Sequence, residues 1–402
     1  MAEIARVLLV AADQIMPGPS HAGTAVIRWS LLEGLRSAGV AVGFYFADQR
    51  ANLKSGYKPQ DSIDAFKDVR FWFNQPGPRI TPESTAGLKA VIDEFKPDVI
   101  FAYGMRPVRL VRATGYEGRL AIMSIDMEFM PRLYRDRHML MEGNFTQKLR
   151  TVALLPGHLF RAAQLRRNVR RHYRLADFVI NHAAHHAEWH RHQHERPTLY
   201  TPNPVAKLFD EAPKPIGTDK PRFLLLGGLA GTATINGLEW FVRHVYPRIE
   251  PAIAAGKLEV HLAGRNALST LDQTMPLVVQ RGYVEDLAKE LQRTRAMLVP
   301  TPIKLGFRTR ILDGFRHGVA VIAHTANAAG MPELIHGQNC LLASTGQDFA
   351  DCVMKLAEDP AYAARLGRAG FEEFQSQLNA DVVARKMVAF VADEPNRMRH
   401  QR

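Results

Sequence analysis

One pattern limits what this chain can fold into. Short apolar runs alternate with amphipathic helical stretches, stop at a proline-dense break, and then alternate again. The strand-like runs of the first series are Arg6–Ala11, Val40–Phe46, Val69–Phe73, Asp98–Ala102, Leu120–Ser124 and Phe178–Ile180. Between the first two, Thr24–Ala38 places Val26, Ile27, Trp29, Leu31, Leu32 and Leu35 on a wide helical face, and Gly39 suits a left-handed helix end. Strand, loop, helix and strand in this order form a βαβ unit. A series of such units requires a parallel sheet with helices on both faces.

Six of the 24 prolines fall in Pro197–Pro221, too dense for a continuous helix or a central strand. The alternation resumes with strands expected at Arg222–Leu226, Leu258–Ala263, Leu277–Arg281, Ala296–Pro300, Val319–Ala323 and Cys340–Ala343. Helices are expected between them at Asn236–Ile249, Val284–Thr294, Thr309–His317 and Ala329–His336, with a helical tail over Gln347–Glu394. A length of 402 residues suits two domains better than one core. The expectation is an α/β chain of two doubly wound Rossmann-like domains facing a cleft. Residues 1–200 form the first, 201–221 a linker, 222–380 the second, and 381–402 a helical tail that packs back on the first.

Several classes fall away. The opening stretch holds Glu3 and only a short apolar run, so it reads as a buried strand, not a secretory segment. No run approaches a membrane span. Cys340 and Cys352 lack metal-ligand spacing and cannot staple a chain of this length, which suits a reducing, cytoplasmic setting. The net charge of +12 favours anionic partners.

Three loops are equipped for an anion. Met16–Thr24 follows the first strand and offers Gly18 and Gly23 ahead of a helix start, or is a plain tight turn. Leu224–Phe241 carries Gly227 and Gly228 at a strand end, then Gly231 and Gly237. Pro300–Gly318 is the densest: Lys304, Gly306, Arg308 and Arg310 precede and open a helix whose positive dipole end repels them. A diphosphate there reconciles cations and dipole; the alternative is a solvated basic loop. Asp313 lies one turn further on, where a carboxylate can accept from ribose hydroxyls.

These stretches resemble the GT-B glycosyltransferases of family 4, the glycosyl transferases group 1. The resemblance is carried by Ala176–Asn181, Thr201–Val205, Gly227–Phe241, His261–Gly264, Arg281–Leu287, Gly306–His324 and His336–Ala343, and is strongest after Pro202. It implies a nucleotide-sugar donor site with no bound metal or other cofactor. Gly23 and Gly228 would approach the diphosphate, Gly306, Arg308 and Arg310 would hold it, Tyr283 would stand at the nucleobase, and Asp313 would bind ribose. It also implies a saccharide or lipid-linked acceptor, cell-surface glycan synthesis and a retained anomeric configuration. The chain departs from the family pattern in places. Leu305 replaces the first acid of the paired-acid motif, and Thr232, Thr234 and Asn236 fill a stretch where a basic residue is usual. Asp126 and Glu128 stand where a catalytic histidine is common, and serve as catalytic candidates or as helix caps. A sugar-nucleotide epimerase and a non-catalytic, membrane-associated relative are the rival readings.

Two features lie outside that site. Arg161–Arg174 has six arginines and no acid. It suits docking at an anionic membrane surface, or an interior helix with its arginines in solvent. With aromatic stacking residues nearly absent, nucleic acid is not an expected partner. His182, His185, His186, His190, His192 and His194 crowd one stretch, and read as a solvated, pH-sensitive helix in preference to a metal site.

Overall fold

The computed structural model describes residues 3–12, 24–48, 63–74, 79–124, 127, 129–194, 196–227, 232–264 and 274–393. Contacts divide the chain into two compact units: 1–133, 150–206 and 380–402 form one, and 134–149 with 207–379 the other.

The first unit is built on β1 (Arg6–Ala11), β2 (Ala41–Phe46), β3 (Arg70–Phe73), β4 (Val99–Tyr103), β5 (Arg119–Ser124), β6 (Phe178–Asn181) and β7 (Thr198–Tyr200). They pair in parallel in the order β3-β2-β1-β4-β5-β6-β7. Its helices are α1 (Thr24–Ser37), α2 (Pro82–Phe95), α3 (Met105–Ala113), α4 (Met130–Glu142), α5 (Phe145–Tyr173) and α6 (Ala184–His194). Two of these reach the second unit: α4 passes into it after Leu133, and α5 returns from it at Arg150.

Both faces of β1 are buried, which is why the strand reads as an unbroken apolar run. Val7 and Leu9 pack into one core with Leu31, Leu35 and Phe44, while Leu8 and Val10 join Leu88, Ile100 and Val111 in another. The first core also takes Val383, Ala384, Met387 and Val391 from a late helix, Ala380–Ala392. Gly34 allows that approach, since a Cβ there would lie 2.3 Å from the Ala380 carbonyl oxygen. Local signals fix α2 at both ends. Thr81 and Ser84 form a reciprocal capping box, Pro82 opens the helix, and Lys96 ends it at φ +50° ahead of Pro97.

The second unit repeats the plan with β8 (Arg222–Leu226), β9 (Glu259–Ala263), β10 (Val279–Gly282), β11 (Ala296–Val299), β12 (Ala320–His324) and β13 (Leu341–Ala343). The parallel order is β10-β9-β8-β11-β12-β13. Its helices are α7 (Thr232–His244), α8 (Tyr246–Ala254), α9 (Leu287–Gln292), α10 (Thr309–Arg316), α11 (Gly346–Glu358) and α12 (Pro360–Glu373), and the late helix of the first unit is α13. Both sheets are doubly wound and Rossmann-like.

Three expectations need correction. The helix at Asn236–Ile249 is two helices, because the chain turns at Val245 and restarts with Pro247 in the first turn of α8. No helix forms over Ala329–His336. A 3₁₀ turn covers Thr325–Ala329 instead, and Gly330 and Pro332 carry the chain to a bridge between His336 and Cys340.

The histidine helix is not solvated. His182, His186, His190 and His194 recur every four residues and are buried, while His192 stays outside on Glu188. Neutral imidazoles serve as flat packing groups here: His190 stacks on Tyr173 at 4.4 Å and His194 on the same ring at 5.3 Å. Burial pulls His182 and His194 down to about 4. Among the described residues no group of three potential ligands could hold a metal ion.

Candidate functional site

The strand order of the second sheet reverses between β8 and β11, and open parallel sheets bind ligands beyond the carboxyl ends of strands at such a point. Three adjacent strands finish there on glycine. β8 runs into Gly227, β9 into Gly264, and β10 closes on Gly282. The Gly227 N–H donates to the Ala263 carbonyl at 3.1 Å, and the Gly264 N–H to the Gly282 carbonyl at 2.7 Å. A Cβ on Gly264 would lie 1.9 Å from the Gly227 carbonyl oxygen, at φ +151°. The three ends therefore form a shelf of bare backbone whose closest approach, at Gly264, leaves no room for a side chain.

Arg310, in the first turn of α10, lays its guanidinium against this shelf; a Cβ on Gly227 would meet it at 3.1 Å. Its Nη2 donates to Thr234 Oγ1 at 2.5 Å. Burial draws the Arg310 pKa down to about 10, and the neighbouring Arg308 charge acts in the same direction. Even so it stays protonated at neutral pH. Among the described residues no carboxylate forms an ion pair with it: the nearby Asp313, whose charge opposes the downward shift, bonds to Arg316 at 2.7 Å. Leu225, Thr234, Thr301 and Arg310 surround a gap of only about 10 Å³. A half-buried cation with no carboxylate in direct contact favours an anion beside it. Here it also stands in the first turn of α10, whose uncapped N–H groups add positive potential.

The loop leading into α10 is shaped by its apolar residues. Leu305 and Phe307 are buried, Gly306 takes φ +59°, and Arg308 donates from Nη2 to the Leu305 carbonyl. Arg308 is the N-cap of α10 but supplies no side-chain cap, so the helix end keeps its N–H groups for another acceptor. Tyr283 follows β10 and is 48% exposed. A pocket of about 550 Å³ adjoins this loop, with Trp240, Arg243, Lys304, His324, Tyr134 and Arg137 in its wall. Trp240 is fixed there by edge contacts to His324 at 5.1 Å and Phe349 at 5.7 Å.

Gly306, Arg308, Arg310 and Asp313 thus lie together on one loop and helix, and Tyr283 just past the end of the shelf's outer strand. Gly23, Asp126, Glu128 and Gly228 lie outside the described residues. Sequence reading missed the part played by Thr234, which accepts a hydrogen bond from Arg310. It also passed over Thr301, Arg243 and the pocket face of Trp240. Their only signal, an apolar helical spacing around Trp240, reads as core.

Residues 220–359 match the family described as glycosyl transferases group 1. No curated protein sequence matches the chain. Solved structures match over nearly its whole length. Sucrose-phosphate synthase from Thermosynechococcus elongatus is 16% identical, covering 95% of this chain and 97% of its own, with a TM-score of 0.66. A glycosyltransferase from Rickettsia africae is 10% identical over 96% and 98%, with a TM-score of 0.63. Anabaena HepE in complex with UDP is 14% identical over 96% and 99%, with a TM-score of 0.62. At these identities the likeness is one of fold, while the family match lies in the unit that holds the glycine shelf and Arg310. The chain has the GT-B fold, and within its second unit residues 220–359 are similar to the glycosyl transferases group 1.

Proposed function

We propose that this chain transfers a sugar from a nucleoside-diphosphate donor to a saccharide or lipid-linked acceptor. The observation that carries the reading is Arg310: a half-buried guanidinium that forms no ion pair with a carboxylate among the described residues, beside a helix start and a bare backbone shelf. That arrangement lacks an anion, and a diphosphate supplies one. HepE, a similar fold, was solved with UDP and with UDP-glucose, so a uridine donor is the first to try.

In the proposed reaction the bond from the anomeric carbon to the diphosphate oxygen breaks, and the leaving group takes the electron pair. Arg308, Arg310 and the α10 N–H groups stabilise the charge gathering on that oxygen. Gly23 and Gly228 would approach the same diphosphate from their loops, Gly306 clears space for it, and Tyr283 and Asp313 would face base and ribose. Asp126 or Glu128 would orient the acceptor hydroxyl or take its proton. The group 1 resemblance supports a hexosyl transfer with retained configuration and no metal. Glycan assembly at an anionic membrane, reached through Arg161–Arg174, is the setting we propose, in the cytoplasm.

The test is a thermal-shift panel of UDP, GDP, ADP, TDP and CMP on wild type, Arg310→Ala and Thr234→Val. A diphosphate at 100 times its dissociation constant stabilises by about 2.7 kcal/mol. In a unit of this size that is a rise of about 5–10 °C. A rise with one nucleotide that Arg310→Ala abolishes and Thr234→Val weakens supports the site. No rise in wild type with any nucleotide overturns it. Leu305, buried and apolar at the usual acid position, favours one rival: a relative that binds the nucleotide but transfers nothing. Nucleotide binding without sugar transfer, given every acceptor in a crude glycolipid extract, would establish that rival.

A further inference from the structure

From Arg150 onward α5 belongs to the first unit and is anchored there by a narrow stripe of Thr151, Ala162, Val169 and Tyr173. The opposite side is open. Val152, Leu159 and Phe160 are exposed, Phe160 at 72%, an arrangement that water does not favour. At 100° per residue, Val152, Pro156, Leu159 and Phe160 share one arc of about 120° with Arg167, Arg170, Arg171 and Arg174. The arc is apolar over its first turns and cationic over its last.

That charge is uncompensated. No acid occurs between Glu142 and Asp177. Among the described residues none of the α5 arginines forms an ion pair with a carboxylate: Arg166 and Arg170 donate to Gln193, and Arg166 also lies over the Trp189 ring at 5.7 Å. Arg167, Arg171 and Arg174 are left to the solvent side. A second copy of the chain is a poor occupant, because two such arcs repel each other. A nucleic acid leaves Val152, Leu159 and Phe160 unmatched. An anionic bilayer meets both halves, with phosphates for the arginines and an acyl boundary for the apolar turns.

We propose that the outer arc of α5, Val152 to Arg174, is a docking surface for an anionic lipid bilayer. Val152, Leu159 and Phe160 enter the boundary below the headgroups, and Arg167, Arg171 and Arg174 hold lipid phosphates. No helix among the described residues is long and apolar enough to cross a membrane, so this contact lies in the plane of the interface. The inference gives the membrane partner named above a surface of its own and uses no residue of the second unit. Its failure therefore leaves the donor-site reading untouched, and the reverse holds too.

The test is flotation of the full chain with vesicles of phosphatidylcholine alone, and with phosphatidylglycerol as about a third of the lipid, over a salt series. Wild type should float with the anionic vesicles only, and less as salt rises. Removing Arg167, Arg171 and Arg174 together (each →Ala) should lower partitioning about a hundredfold, at about fivefold per arginine. Phe160→Asp should abolish flotation, while both variants keep the wild-type melting temperature because the side chains are exposed. The proposal is overturned if wild type stays unbound with both vesicles, or floats equally with both. It is also overturned if light scattering finds a vesicle-indifferent dimer that Phe160→Asp dissociates.

Discussion

Gly264→Ala is the substitution that asks most of the glycine shelf. The new methyl would lie 1.9 Å from the Gly227 carbonyl oxygen, where contacts under 3.0 Å do not occur, so β8 and β9 must part by more than an ångström. Backbone cannot yield as a side-chain tip does. The two hydrogen bonds that tie Gly227 to Ala263 and Gly264 to Gly282 run through the same place, and each is worth about 1 kcal/mol. Adding overpacking of about 1–3 kcal/mol gives a loss of about 3–5 kcal/mol before any cost of the φ angle. Gly256→Ala is the control. It also has positive φ, +71°, but its nearest neighbour is the flexible Lys220 ammonium at 3.2 Å. It should cost only about 1–2 kcal/mol. Urea unfolding followed by Trp240 fluorescence, with Trp29, Trp72 and Trp189 replaced by Phe, reports the second unit alone. Gly264→Ala should lower the midpoint by about 1–2 M. If it costs no more than Gly256→Ala, the close approach of the strand ends is not what holds the shelf.

Other outcomes follow from the same geometry. The first unit should lose stability as pH falls from about 6.5 towards 4: unfolding frees His182 to take a proton that the fold refuses down to about 4, worth about 3 kcal/mol, and melting of His182→Gln should be flatter over that window. Thr345→Ala removes one half of the capping box with Asp348 that starts α11, and should destabilise the second unit by about 1 kcal/mol in urea titration. Arg112→Ala frees Asp177, the Leu175 carbonyl and the Tyr116 carbonyl together, and should lower the melting temperature of the first unit by several degrees.

The sequence carried most of the sheet because buried parallel strands are continuous apolar runs: the expected limits of β1 and β8 coincide with the observed ones. It gave less of β7, whose three residues sit at a sheet edge beside Pro197, where a ladder needs few apolar side chains. It caught only the last half of α5, because the turns before Arg161 bury almost nothing and so have no inward periodicity to read. Gly306, Arg308 and Arg310 were legible as a cluster on one loop. The shelf beneath them was not, since Gly227, Gly264 and Gly282 come from three strands and meet only through main-chain hydrogen bonds. The histidines misled for a chemical reason. Imidazole is usually counted as polar, yet in its neutral form it packs flat against Tyr173 and fills a core.

The placement of α13 has a consequence for how the chain is made. Val383, Ala384, Met387 and Val391 complete a core whose other members, Val7 and Leu9 among them, emerge from the ribosome first. All of residues 207–379 must be translated in between, which at about 5–20 residues per second takes on the order of ten to thirty seconds. During that interval one face of the first sheet is covered only in part, by α1, and it is then that chaperones would engage the nascent chain. A premature stop after Asn379 would spare every strand of the second unit and cripple the first, so damage late in the message would strike the half of the protein that was made earliest.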